Sequence, residues 1–159
     1  MSLITPERYV LALRKTPVVL NALLKGMATE DAYTLTDGPD GWTVIEALCH
    51  IRDSADNSLE RAKAILEQDN PLLRNLDPAV HNRDFKQQKV EDEWAAYLSA
   101  RKSLIELLAT VTEGQWERRG THSIYGSLTL LELLVFITWH DLNHIEQIAR
   151  ILRLSDILL

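Results

Sequence analysis

The chain has few of the features that mark secreted, membrane-spanning or nucleic-acid-binding proteins. Its 159 residues contain a single cysteine, Cys49, which excludes an intrachain disulfide and a CxxC redox or zinc motif. No apolar run approaches the ~20 residues that cross a bilayer, and the amino terminus lacks the basic and apolar blocks of a signal peptide. A net charge of −6 argues against a binder of phosphate backbones. We therefore expect a cytoplasmic protein without nucleic-acid or membrane partners.

Helical periodicity is the main structural signal that is present. Four segments show it, and no segment shows the alternation of a strand. They cover approximately residues 6–27, 43–66, 90–111 and 129–152. The sequence thus predicts one domain, residues 1–159, with an all-α fold: a four-helix bundle with one long connection, residues 69–88, between helices two and three. Such a connection is often functional or a crossover between non-adjacent helices.

The starts of these helices carry recognisable capping signals. Thr5 before Pro6 is typical of a helix amino terminus, and Pro17 predicts a kink or a local break further along that helix. Capping boxes, in which a threonine and a glutamate three residues later satisfy each other's backbone N–H groups, are predicted at residues 43–46 and 129–132. Residues 112–127, with three glycines, are interpreted as a loop.

Three histidines in two of the helices form the strongest functional signal. His140 and His144 are spaced i,i+4, which places both imidazoles on one helix face, close enough to share a metal ion. They occupy positions in the apolar stripe of the fourth helix. His50 lies within the second helix, on a strip of small and polar residues. Three imidazoles leave a coordination position free, which is typical of a reactive metal site, although buried structural histidines are the alternative.

Two aspartates next to these histidines are weaker candidates. Asp53 and Asp141 are each able to orient an imidazole or accept a proton, although an exposed acid on a helix surface is the commoner case. The motif His140-Asp141-x-x-His144 is one methylene away from the HExxH of zincins. We reject a metalloprotease because zincins generally take their third zinc ligand downstream, and no histidine follows His144. An HD-type phosphohydrolase needs a further metal-binding aspartate well downstream, and Asp156, in the final four residues, is a poor candidate.

The remaining reactive residues have ordinary interpretations. Cys49 is expected to be small and buried rather than a nucleophile. His81 and His122 are expected to be exposed in loops, and Glu46 to be occupied by its capping box. The four tryptophans are interpreted as core or pocket wall.

The chain resembles the DinB/YfiT-like superfamily of metal-binding four-helix proteins. The resemblance rests on residues 42–51, on residues 126–134 leading into residues 140–148, and on the pre-helix residues 118–122. It implies a divalent metal, zinc or nickel, held by His50, His140 and His144, and a homodimer. Several branches of the superfamily transfer low-molecular-weight thiols or isomerise maleylpyruvate with a thiol cofactor, and others have no assigned activity.

These observations leave three functional hypotheses. The first is an enzyme, a metal-dependent transferase that uses a low-molecular-weight thiol as cosubstrate against a small electrophile. The thiol would bind at the free coordination position of the metal, which lowers the thiol pKa. A hydrolase with metal-bound hydroxide is the variant of this hypothesis. The second is a non-catalytic metal- or ligand-binding protein related to stress, and the third a purely structural bundle. An arginine is expected to hold a substrate carboxylate, with the candidates being Arg83, Arg101, Arg118 and Arg119.

Overall fold

Four long helices form the framework of the computed structural model, which describes residues 3–76 and 83–154. Over these residues the elements in chain order are α1 (Pro6–Lys25), the short α2 (Asp31–Thr34), α3 (Val44–Glu67), β1 (Leu72–Leu73), α4 (Val90–Leu108), β2 (Arg119–His122), β3 (Gly126–Thr129) and α5 (Leu130–Ile151). Single 3₁₀ turns lie at Phe85–Gln87 and Glu113–Glu117. The predicted four-helix bundle is confirmed. Asp156 and His81 lie outside the described residues.

The helices do not pack in the order in which the chain visits them. α3 packs against α4 and α5, and α1 packs against α5 and α4. α1 and α3, which are consecutive long helices, therefore lie diagonally across the bundle, and so do α4 and α5. The long connection between α3 and α4 joins neighbouring helices, so it is not a crossover. The crossovers are the connections before α3 and before α5, which bring these two helices together.

Both predicted capping boxes are confirmed, at the starts of α3 and α5. At α3, the Glu46 side chain accepts the backbone N–H of Thr43 at 2.7 Å, and Thr129 and Glu132 make the same reciprocal arrangement at α5. Thr5 is the N-cap residue of α1 but its side chain makes no capping hydrogen bond. The expected break at Pro17 is absent, because α1 continues as one helix from Pro6 to Lys25.

A small sheet corrects the interpretation of two segments as loops. β2 pairs with β3 in an antiparallel hairpin and with the two-residue β1 in parallel. Residues 112–127 are thus partly strand, and β3 leads directly into α5. The backbone carbonyl of Arg118 accepts the N–H of Leu130 at 2.9 Å, which ties the base of the hairpin to the first turn of α5.

Gly120 is the point at which this sheet lies closest to the bundle. An added Cβ would lie 2.7 Å from Leu73 Cδ2 and 3.1 Å from Ile65 Cγ1, distances at which these buried side chains must move. We expect Gly120→Ala to lower the free energy of unfolding by about 1–3 kcal/mol through overpacking, as measured by urea denaturation. Gly114→Ala is the matched control, since no atom of the described residues lies within 4 Å of its added Cβ. Equal stabilities of the two variants would contradict the prediction.

The core consists of two apolar clusters separated by a polar layer. One cluster contains Leu20, Leu48, Ile51, Tyr97 and Ile148, and the other contains Leu13, Ile65, Leu104, Leu133 and Ile137. Between them, along each helix, lie buried polar side chains: Thr16, Ser58, Arg101, Thr138 and Asp141. His140 directly precedes Asp141 of this layer, whereas His50 lies between Leu48 and Ile51 of the first cluster. Within the described part of the chain, none of the helices combines the length and apolar character needed to cross a membrane.

Candidate metal centre

The three predicted histidines come together between α3 and α5. His50 Nε2 lies 2.9 Å from His140 Nε2, and one ring nitrogen of each histidine lies within 4.8 Å of those of the other two. The ring centroids of His140 and His144 are 4.5 Å apart, and those of His50 and His144 are 4.6 Å apart. All three rings are half-buried. The helical spacing and the packing of α3 on α5 therefore build one cluster of imidazoles.

The cluster suits a metal because burial favours the neutral form of two of its imidazoles, His140 and His144. Burial, followed by the proximity of His144 and His50, lowers the pKa of His140 to about 3. Burial also lowers the pKa of His144. Neutral imidazole is the form that binds a metal. Zinc lies about 2.0–2.1 Å from each histidine nitrogen in tetrahedral sites, so ligand nitrogens about 3.3 Å apart are required, and the observed cluster fits that requirement with small side-chain adjustments.

A hydrogen-bond chain orients one of the imidazoles. His144 Nδ1 donates to Gln147 Oε1 at 2.7 Å, and Gln147 Nε2 donates to Asp37 Oδ2 at 2.9 Å. Arg150 in turn contacts the same Asp37 oxygen at 3.4 Å. A proton held on Nδ1 leaves Nε2 of His144 free to bind a metal, and metal-binding histidines usually have such a partner. Sequence reasoning missed Gln147, although its i,i+3 spacing from His144 was the available signal.

Trp42 forms one wall of the cluster. Its ring stacks on His144 with an interplanar angle of 4° and a centroid distance of 5.9 Å, and it meets His50 edge-on at 5.2 Å. The position of Trp42 directly before the capping box of α3 brings the indole to this end of the helix. The interpretation of the tryptophans as core or pocket wall fits Trp42 but is wrong for Trp139, which is 57% exposed.

Both candidate aspartates are buried rather than exposed. Asp141, only 3% exposed, accepts hydrogen bonds from Arg101 and from Thr16 Oγ1, so its carboxylate is directed to the polar layer and not to an imidazole. Asp53 forms ion pairs with Arg52 and Arg83. The expectation of helix-surface acids is wrong for both residues. The buried face of α5 centres on Asp141, and the two histidines lie beside that centre.

A cavity of about 290 Å³ opens beside the cluster. Its polar lining includes His50, His140, Ser54, Asn57, Ser58, Arg61, Asn75 and His122, and its apolar lining includes Ile124, Tyr125, Phe136 and Ile137. Ser54 Oγ lies 3.4 Å from His140 Nε2. The cavity therefore offers room for a small molecule in direct contact with two of the imidazoles.

His122 belongs to this cavity, which corrects its expected exposure. It is 3% exposed at the end of β2, and its Nδ1 accepts the backbone N–H of Ile124 at 3.1 Å. Burial, followed by the charge of Arg61, lowers its pKa. The neutral ring must then carry its proton on Nε2, so it is a hydrogen-bond donor.

Cys49 and the four candidate arginines do not line the cavity. Burial and the nearby Glu93 carboxylate raise the pKa of Cys49 to about 12, so its thiol is unreactive, as expected. Of the arginines, Arg118 donates to the Ile65 and Gln68 carbonyls at the end of α3.

Acidification is expected to destabilise the metal-free protein. Because the pKa of His140 is about 3 when folded and about 6.5 when unfolded, the unfolded state binds more protons between these values, and stability falls as the pH falls. At pH 5 the loss from His140 alone is about 2 kcal/mol. Urea denaturation at pH 7 and pH 5 in the presence of a chelator measures it. His140→Asn is expected to lose less stability over that interval, and an equal loss would contradict the assignment.

Comparisons with known proteins identify the family of this chain and agree with its fold. The sequence model of the DinB superfamily matches residues 12–148. YfiT of Bacillus subtilis is 27% identical over 92% of this chain and 84% of its own length. A Geobacillus thermodenitrificans protein is 27% identical over 89% of this chain and 81% of its own. The names of both propose that they are metal-dependent hydrolases.

Solved structures show the same architecture. The structure of Bacillus subtilis YfiT, described as a four-helix bundle of unusual topology, superposes with a TM-score of 0.85 at 26% identity, covering 96% of this chain and 89% of that one. A mycothiol-dependent maleylpyruvate isomerase superposes with a TM-score of 0.77 at 10% identity, covering 93% of this chain and 63% of the other, and shows the fold alone. With its family match, its fold and its three clustered histidines, the chain belongs to the DinB superfamily.

Proposed function

We propose that this chain is a metal-dependent enzyme in which His50, His140 and His144 hold a divalent cation, zinc or nickel. The observation that carries the proposal is the cluster of three ring nitrogens within 4.8 Å, at the edge of a cavity of small-molecule size. When bound, such a cation lowers the pKa of a thiol or water and supplies a nucleophile at neutral pH. A purely structural bundle has no use for this combination of cluster and cavity.

We further propose transfer of a low-molecular-weight thiol to a small electrophile as the reaction. Among the described residues that line this cavity, Asp141 carries the carboxylate. It is a poor base because Arg101 and Thr16 already bind it. A thiol, with a pKa of about 8.5, needs a shift of only one or two units to ionise at pH 7, whereas water starts at 15.7. The apolar wall of Ile124, Tyr125 and Phe136 suits the hydrocarbon part of an electrophile.

Hydrolysis is the second candidate, and the names of the relatives favour it. In this case a cation held by the same imidazoles would lower the pKa of water rather than of a thiol, and the cavity residues would hold the substrate. Ser54, whose Oγ lies 3.4 Å from His140 Nε2, and His122 are hydrogen-bond donors in the cavity lining.

The two reactions can be separated in one experiment. Protein purified without a histidine tag and loaded with zinc or nickel is assayed on activated esters and on thiol-reactive electrophiles, each with and without a low-molecular-weight thiol. Turnover that requires the thiol and disappears in His144→Ala supports transfer. Thiol-independent ester cleavage that disappears in the same variant supports hydrolysis. Rates unchanged by His144→Ala under all conditions contradict both.

A further inference from the structure

Arg61 is a buried cation at the junction of two cavities. It lies on α3 and is 8% exposed. It lines the cavity beside His50 and His140, and also a larger neighbouring cavity of about 750 Å³. The two cavities share Arg61 together with Asn57, Asn75 and Leu76. A molecule that reached the imidazoles from the larger cavity would therefore pass the guanidinium.

Within the described residues, no carboxylate neutralises Arg61. Its Nε donates to the Arg74 carbonyl at 2.9 Å and its Nη2 to Asn75 Oδ1 at 3.2 Å, both of which are uncharged acceptors. The acids that line the larger cavity have other cations: Asp53 pairs with Arg52 and Arg83, Asp56 with Arg52, and Glu60 with Lys63. Burial is the cause that lowers the pKa of Arg61.

The positive charge of Arg61 affects two imidazoles that line the cavity. It contributes to the lowered pKa of His122 and to that of His140. A buried charge that has no carboxylate partner among the described residues is costly to the folded state, and a side chain that serves only packing does not need a charge. The cavity lining offers further hydrogen-bond donors, the amide group of Asn57 and Nε2–H of His122. The lining of the same cavity also includes the apolar side chains of Ile124, Tyr125 and Phe136.

We propose that Arg61 binds the carboxylate of a small organic acid whose hydrocarbon part lies against Ile124, Tyr125 and Phe136. The inference deepens the proposed function, since it names the substrate class of that site. It replaces the four arginines favoured by the sequence with one that lines the cavity. The carboxylate belongs either to the electrophile or to the thiol cosubstrate, and both chemistries meet the same guanidinium.

Binding to metal-free protein tests the inference independently of any metal. Benzoate is the anionic probe and benzamide its neutral counterpart, both titrated in the presence of a chelator and followed by calorimetry or NMR. We expect benzoate to bind more tightly than benzamide. Arg61→Gln is expected to weaken benzoate binding by about 10–100-fold, the usual range for a charged hydrogen bond, and to leave benzamide binding unchanged. Absence of saturable benzoate binding, or equal binding by wild type and Arg61→Gln, overturns the proposal.

Two controls separate recognition from folding. Arg119→Gln removes an exposed arginine outside the cavity, whose Nη1 donates to Ser127 Oγ, and should bind benzoate as wild type does. Arg61→Lys keeps the charge without the planar fork and should bind with intermediate affinity. A purely structural Arg61 predicts lowered stability of both Arg61 variants without selective loss of benzoate.

Further measurements show which substrate carries the carboxylate, and they distinguish a failure of this inference from a failure of the proposed function. With metal-loaded enzyme, Arg61→Gln should raise KM for acidic electrophiles if the electrophile carries the carboxylate, or KM for acidic thiols if the thiol carries it. His144 does not line the cavity, so His144→Ala should still bind benzoate. Benzoate binding without metal-dependent turnover would refute the proposed reaction alone, and turnover without Arg61-dependent binding would refute this inference alone.

Discussion

Replacing His144 by alanine is expected to abolish stoichiometric binding of zinc and nickel. The change leaves two imidazoles of the three whose nitrogens cluster within 4.8 Å, and removes the ring that Trp42 and Gln147 hold in place. Since altering a residue that only orients a ligand costs 10–100-fold in affinity, we expect loss of the ligand itself to cost more than about 100-fold. Competition with a chromophoric chelator, on protein without a histidine tag, measures the affinity.

His122→Ala is the matched control for this variant. It removes another imidazole that lines the same cavity, but one whose Nδ1 accepts the backbone N–H groups of the hairpin turn. We expect it to bind one metal ion per chain with nearly unchanged affinity. Gln147→Leu should lie between the two, weaker than wild type by about 10–100-fold. Wild-type affinity in His144→Ala would show that the cluster is not a metal site.

Breaking the buried ion pair between Arg101 and Asp141 is expected to have the largest effect on stability. Arg101 Nη2 lies 2.7 Å from Asp141 Oδ2, with the two side chains 2% and 3% exposed. Asp141→Leu leaves the guanidinium buried without its partner, which typically costs 3–5 kcal/mol. Chemical denaturation at pH 7 measures the loss. Replacement of both residues, Arg101→Met with Asp141→Leu, should recover most of it, because no uncompensated charge is left.

The reverse single variant should behave differently with pH. In Arg101→Met the isolated group is a carboxylate, and burial already raises the pKa of Asp141 in the wild type. It can therefore take up a proton, so the destabilisation should shrink as the pH is lowered from 7 to 5. Asp141→Leu has no such relief, because arginine stays protonated. Parallel pH profiles for the two variants would argue against a buried pair. If the double variant keeps its metal affinity, Asp141 supports the fold rather than the ligands.

The sequence predicted those parts of the structure that depend on short-range signals. The four helices, both capping boxes and the pairing of His140 with His144 follow from residues at most four positions apart, and each is present. His50 was grouped with them from the strip of small and polar residues around it, and the family resemblance supported that grouping, because α3 and α5 are distant in sequence. The sheet was missed because β1 has two residues and pairs with β2 across the whole of α4.

Buried polar residues were the hardest to predict. Asp141 falls in register with the apolar residues Leu134, Ile137, Ile145 and Ile148 of α5, which was an available signal for its burial. Its partners, however, lie on α4 and α1, at Arg101 and Thr16. In the sequence, Arg61 is likewise indistinguishable from other helix-surface arginines, because its burial and its place in the cavity lining depend on the packing of distant segments. In both cases tertiary packing, not local sequence, decides what the side chain meets.

The two capping boxes also determine the angular phase of the ligands. His50 follows its N-cap Thr43 by about two turns and His140 follows Thr129 by about three turns, so each imidazole lies within about 20° of the face on which its helix begins. A single residue inserted between cap and ligand would rotate that imidazole by about 100°. Insertions at the hairpin tip, residues 123–125, change no such phase. Loop variation can therefore reshape the cavity mouth while the histidines stay in register.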